Sequence, residues 1–207
     1  MYARRICSRV KGALRGAALL GLVAWLTGCA TQGDRRHHLV ISCADQQMAV
    51  LRDGTPVAWY PVSTSKFGTG DAPNSCATPL GEMRIRKKIG GGAPLGAVFK
   101  SRQPTGEILP PDAPGRDPIV TRILWLEGRE PQNRNAFRRY IYIHGTAEER
   151  NIGQPVSYGC IRMKSKDVAA LYDQAGVGAR VTISPNPLPQ KLLPPPPPSP
   201  GADPVFF

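Results

Sequence analysis

Between Tyr140 and Met163 the chain reads YIYIHGTAEERNIGQPVSYGCIRM. Tyr140 to Ile143 are β-branched or aromatic, the composition of a buried strand. His144 ends that run, where a strand can hold its ring fixed. Cys160 follows after an irregular segment containing Gly153 and Pro155, which allows the chain to fold back. The thiolate is the reactive form of cysteine, and a nearby imidazole can take the thiol proton or lower its pKa. Gly159 lets the backbone approach a substrate closely, and N–H groups there can serve a developing oxyanion. The planar fork of Arg162 suits a carboxylate. Both key residue types also occur as structural groups, a cysteine as a small buried hydrophobe above all. Metal ligation is the remaining alternative. The chain offers only His37, His38 and His144 and no paired CxxC spacing, so no metal and no cofactor is expected.

The segments on either side read as a mostly β domain. His38 to Cys43, Gln47 to Arg52, Pro56 to Ser63, Glu82 to Ile89, Ile119 to Leu126 and Ala179 to Ser184 all have strand composition. Asp53-Gly54 stands between two of them, a hairpin turn in which both residues take positive φ. One helix is marked after the cysteine. Ser165 can cap it, Val168, Leu171, Tyr172 and Ala175 share a face, and Gly176 closes it. Gly90 to Pro118 is rich in Gly and Pro and reads as long loops, a candidate lid. From Pro185 onward an extended polyproline tail is expected, with Pro194 to Pro198 unbroken.

The motifs His144-Gly145-Thr146, Ile152-Gly153-x-Pro155 and Ser157-x-Gly159-Cys160-Ile161-Arg162-Met163 together resemble the signature of the L,D-transpeptidase (YkuD-type) catalytic domain family. Val62-Ser63-Thr64, Thr78-Pro79-Leu80-Gly81, Asp167-Val168, Leu171-Tyr172 and Val181-Thr182-Ile183 extend the likeness to about Leu39–Ser184. The resemblance implies a twisted β-sandwich with one helix after the cysteine and a long loop or lid insertion. It implies peptidoglycan stem peptides as substrate. The cysteine attacks the bond between the L-centre of diaminopimelate and D-alanine in a tetrapeptide stem, and a thioester forms. An amine then resolves it, giving a 3–3 cross-link from another stem or a tether to an envelope protein. By position, Cys160 is the nucleophile, His144 the base and the Gly145 carbonyl its orienter. Tyr158, Gly159 and Cys160 supply oxyanion N–H groups, Ser157 shapes the pocket, and Arg162 contacts substrate or braces the loop. Many relatives have a second histidine where this chain has Tyr158, a departure read as altered substrate contact. Two other readings keep the same residues: a hydrolase (L,D-carboxypeptidase or amidase) with water as acceptor, and a non-catalytic peptidoglycan-binding lipoprotein.

The first residues read as an export signal. Arg4, Arg5, Arg9, Lys11 and Arg15 precede an eleven-residue apolar run, Gly16 to Leu26. That run is too short to cross a bilayer as a helix, which takes roughly 20 residues. Leu26-Thr27-Gly28-Cys29 resembles the lipobox of bacterial lipoproteins, which implies cleavage before Cys29 and acylation of its sulfur. Ala30 in place of Asp then implies the outer membrane of a Gram-negative bacterium, facing the periplasm. Residues 1–28 would be the signal, 29–37 a lipidated tether, 38–184 the catalytic domain and 185–207 the tail. Loss of five cations and no acid takes the net charge from +12 to +7. That balance suits an anionic polymer, while export argues against nucleic acid. Cys43, Cys76 and Cys160 remain after lipidation, and a Cys43–Cys76 bridge would spare Cys160.

Overall fold

The structure, a computed structural model, describes residues 33–196. The export signal, Cys29 and the end of the polyproline run lie outside the described residues. The strands are β1 (His37–Ser42), β2 (Gln47–Arg52), β3 (Thr55–Pro61), β4 (Gly81–Ile89), β5 (Ala97–Lys100), β6 (Gln103–Ile108), β7 (Ile119–Gly128), β8 (Tyr142–Thr146), β9 (Ile161–Met163) and β10 (Arg180–Ser184). A single α-helix among the described residues, α1 (Ser165–Gln174), follows β9. Asp53 and Gly54 take φ of 51° and 84°, so the β2–β3 turn is the tight hairpin its sequence calls for.

All ten strands join one curled sheet in the order β3-β2-β1-β10-β4-β7-β5-β6, with β8 added to β7 and β9 to β8. Side chains alternate between its faces, and the alternation sorts the core. Leu39, Ile41, Leu124, Leu126, Ile143, Ile161 and Met163 enter the main core, where Val168 and Leu171 of α1 meet them. Their neighbours point the other way. Ile123, Trp125 and Tyr142 join Phe99 and Cys160 in a second apolar cluster on the opposite face. Each fully buried Leu or Ile contributes about 1.5–3 kcal/mol, so the main core fixes the register that presents the second face.

Three expectations need correction. The Gly90–Pro118 region is not loop throughout, because β5 and β6 form a hairpin inside it. Strand β6 (QPTGEI) is exposed along its whole length and carries Pro104 and Gly106. An edge strand tolerates both, and so gives no strand signal in sequence. Ser165 does not cap α1. Lys164 holds the cap position, and the Ser165 N–H is received by the Glu149 carboxylate at 2.7 Å. The start of the tail is part of the fold. Leu188 and Leu192 pack with Val40, Ala49 and Leu51, and Trp59 donates its indole N–H to the Leu192 carbonyl at 2.7 Å.

Candidate active site

Parallel pairing of β8 with β9 sets His144 opposite Arg162 and Ile143 opposite Ile161. Cys160 stands one residue before β9, two before Arg162, and so shares the face of Arg162, His144 and Tyr142. The intervening Ile143 and Ile161 go into the main core and lock this arrangement. The residues expected to form the site, Ser157 to Arg162 with His144 and Gly145, are thereby gathered at one end of the sheet.

His144 is buried, 5% exposed, and its Nδ1 lies 2.8 Å from the Gly145 carbonyl. A carbonyl only accepts, so Nδ1 carries the hydrogen and Nε2 keeps a lone pair. Burial takes the imidazole down to a pKa of about 4. Gly145 is close-fitted: a Cβ there would stand 2.6 Å from the Val120 carbonyl oxygen and 3.2 Å from Val168.

The Cys160 sulfur receives the Tyr142 N–H at 3.4 Å, and its S–H is given to the Tyr140 carbonyl at 3.4 Å. Burial raises the thiol to a pKa of about 11, against the opposing effects of the Tyr142 N–H and of Arg162 and Arg139. The resting pair is therefore neutral thiol and neutral imidazole. Tyr140, with φ of 58°, is an aromatic residue in the left-handed region, a strained setting that aims its carbonyl at the sulfur.

Ser157 is fully buried and holds the turn before the cysteine. Its hydroxyl donates to the Cys160 carbonyl at 2.6 Å and receives the Gly159 N–H at 3.2 Å. Gly159 has φ of +113°, and Thr78 donates its hydroxyl to the Gly159 carbonyl at 3.1 Å. Arg162 is paired with Asp117 at 2.7 Å, while Thr146 donates to the same carboxylate. Its Nη1 is thus engaged within the protein. Tyr158 is exposed; Lys66 donates to its hydroxyl at 2.9 Å and sits 4.4 Å from its ring centroid. It lines a groove of about 480 Å³ with Cys76, Arg138 and Tyr140.

Several residues of this neighbourhood carry no sequence signal. Asp71 and Arg139 form a buried ion pair at 2.9 Å, and Arg139 also donates to the Gly70 and Ala77 carbonyls. Partners so far apart in the chain leave no local pattern, and neither do Asp117 or the strained Tyr140. Cys43 and Cys76 are free, so no bridge joins them. Among the described residues no cluster of His, Cys, Asp and Glu is arranged to hold a metal, and no helix is long and apolar enough to cross a membrane.

Comparison with known proteins supplies the class. Residues 36–183 match the YkuD family, the L,D-transpeptidase catalytic domain, and the chain belongs to that family. Similar proteins include YqjB of Bacillus subtilis, provisionally named an L,D-transpeptidase, at 28% identity over 71% of this chain and 70% of that protein. YbiS of Escherichia coli, also provisionally so named, is 29% identical over 72% of this chain, which spans only 45% of its length. Among solved structures, an L,D-transpeptidase from Mycobacterium smegmatis aligns with a TM-score of 0.45 at 17% identity, over 72% of this chain and 58% of that one.

Proposed function

We propose that the chain is a peptidoglycan L,D-transpeptidase in which Cys160 carries the acyl group and His144 moves the protons. The observation that carries this reading is the placement of Cys160 and His144 on one sheet face, with Nδ1 committed to Gly145 and the Nε2 lone pair left free. In the first step the thiol turns from the Tyr140 carbonyl and passes its proton to Nε2 as the sulfur attacks the carbonyl joining diaminopimelate to D-alanine. The N–H groups of Tyr158 and Cys160 receive the oxyanion, since that of Gly159 is given to Ser157. The C–N bond breaks, D-alanine leaves with the proton from His144, and a thioester remains. An amine then attacks that thioester, His144 takes its proton, and the thiol is restored.

The apolar surroundings of Cys160, with Phe99, Ile123, Trp125 and Tyr142, support transfer to an amine over hydrolysis, because water is poorly held there. A non-catalytic binding role has no use for a paired thiol and imidazole. The envelope location follows from the substrate, and anchoring through Cys29 to the outer membrane from the lipobox-like sequence. The test uses disaccharide-tetrapeptide with the wild-type chain and Cys160→Ala, with and without added amine. Amide products from the wild type and none from the variant are expected. Product from Cys160→Ala would refute the assignment, and a tripeptide product unaffected by amine would establish the hydrolase instead.

A further inference from the structure

Arg102 stands at the tip of the β5–β6 hairpin, where Ser101 and Arg102 take φ of 50° and 68°. Its guanidinium carbon lies 5.0 Å from the Tyr140 ring centroid and 5.3 Å from that of Trp125, and its charge acts on the neighbouring Tyr142 phenol. These are the residues against which Cys160 rests. The Tyr140 carbonyl and the Tyr142 N–H hold its sulfur, and Trp125 shares its apolar cluster. Three other arginines are already engaged, Arg116 with Glu107, Arg139 with Asp71 and Arg162 with Asp117, while Arg138 lines the separate groove beside Tyr158. Among the described residues no carboxylate pairs with Arg102, and its groove of about 830 Å³, lined also by Lys87, Phe99 and Trp125, has no acidic side chain in its lining. A guanidinium stacked on aromatic faces keeps its edge N–H groups for a planar carboxylate.

Formation and aminolysis of a thioester are the same reaction run in opposite directions through one base. The amine that leaves and the amine that enters therefore occupy one place beside Cys160 and His144. The leaving group, D-alanine, bears its carboxylate on the carbon that carries the nitrogen. The side-chain amine of a diaminopimelate stem has the same arrangement; the side-chain amine of a protein lysine does not. We propose that Arg102 selects the acceptor by binding the carboxylate on the amine-bearing carbon, which makes a stem peptide the preferred acceptor over a protein lysine. The inference rests on the acyl transfer proposed above and names its second substrate. No bond changes at Arg102: the amine nitrogen joins the acyl carbon, the C–S bond breaks, and the amine proton passes through His144 to sulfur.

The experiment supplies disaccharide-tetrapeptide as donor to the full chain. Labelled D-alanine, labelled D-alaninamide and Nα-acetyl-lysine amide compete as acceptors. The amide has the less basic amine and so more of its reactive free form near neutrality, which makes the comparison stringent. The wild type should favour D-alanine at least ten-fold over both other amines. Arg102→Gln should cut that preference roughly ten- to a hundred-fold, the worth of a charge-assisted contact, and Arg102→Lys should restore part of it. Thermal melts of both variants check the fold. A normal Cys160 adduct with an unchanged acceptor ratio in Arg102→Gln would overturn this inference alone, as would equal wild-type use of the lysine probe. Absence of any Cys160 adduct would remove the parent reading and this one together.

Discussion

At the scale of single residues, the paired values of about 4 for His144 and about 11 for Cys160 make distinct pH predictions. The folded imidazole pKa is depressed below its ordinary value near 6.5, so the unfolded chain binds more protons between these values. Stability should therefore fall as pH drops from about 6.5 to about 4, by on the order of 3 kcal/mol for this group. The thiol has the opposite sign of effect on the alkaline side, with stability falling as pH rises from about 9 to 11. Urea titrations at stepped pH, on the wild type and His144→Asn, check the first: the acid slope should shrink in the variant. Gly145→Ala drives a Cβ against the Val120 carbonyl oxygen and should cost about 1–3 kcal/mol in urea unfolding while displacing His144. Cys160, His144 and Gly145 stand in a recognisable sequence pattern. Tyr140 and Asp117 do not, because a strained φ and an ion pair across 45 residues have no local signature.

At the scale of elements, β8, β9 and the turn between them owe their form to a few buried polar groups. Arg162 and Asp117 have side chains only 11% and 13% exposed, whereas the Arg36–Asp53 pair at the surface is more than half exposed. Asp117→Ala leaves a buried guanidinium with only Glu148 at 3.8 Å and should cost about 3 kcal/mol. Arg36→Ala, which breaks the exposed pair without touching the turn residue, should leave the same chemical denaturation almost unchanged. Equal losses in the two variants would contradict a bracing role for Arg162. Hydrophobic alternation made β1, β2, β4, β7 and β10 legible in sequence, and helical spacing did the same for α1. The hairpin of β5 and β6 was not legible. Its turn is Ser101-Arg102 instead of a glycine-containing pair, and β6 has no buried residue to set a period.

At the scale of the whole molecule, one sheet buries its main core on one face and splits the other between two tasks. The β7–β8–β9 end carries Cys160, and the β1–β2–β3 end is sealed by residues 185–193. Leu192→Ala should therefore destabilise the protein by about 2 kcal/mol, measured as a lowered urea midpoint with unchanged slope. A neutral result would return this segment to the status of a loose tail. Its proline content conceals the docking, because Leu188 and Leu192 among prolines make no periodic pattern. The central claim is that Cys160 carries the acyl group. The direct measurement is intact-mass and peptide mapping of the full chain after incubation with disaccharide-tetrapeptide, without added amine, followed by an acid quench. The account predicts an increment equal to the donor minus D-alanine, located on Cys160 and absent from Cys160→Ala. Release of D-alanine by Cys160→Ala, or an adduct on any other residue, would contradict it.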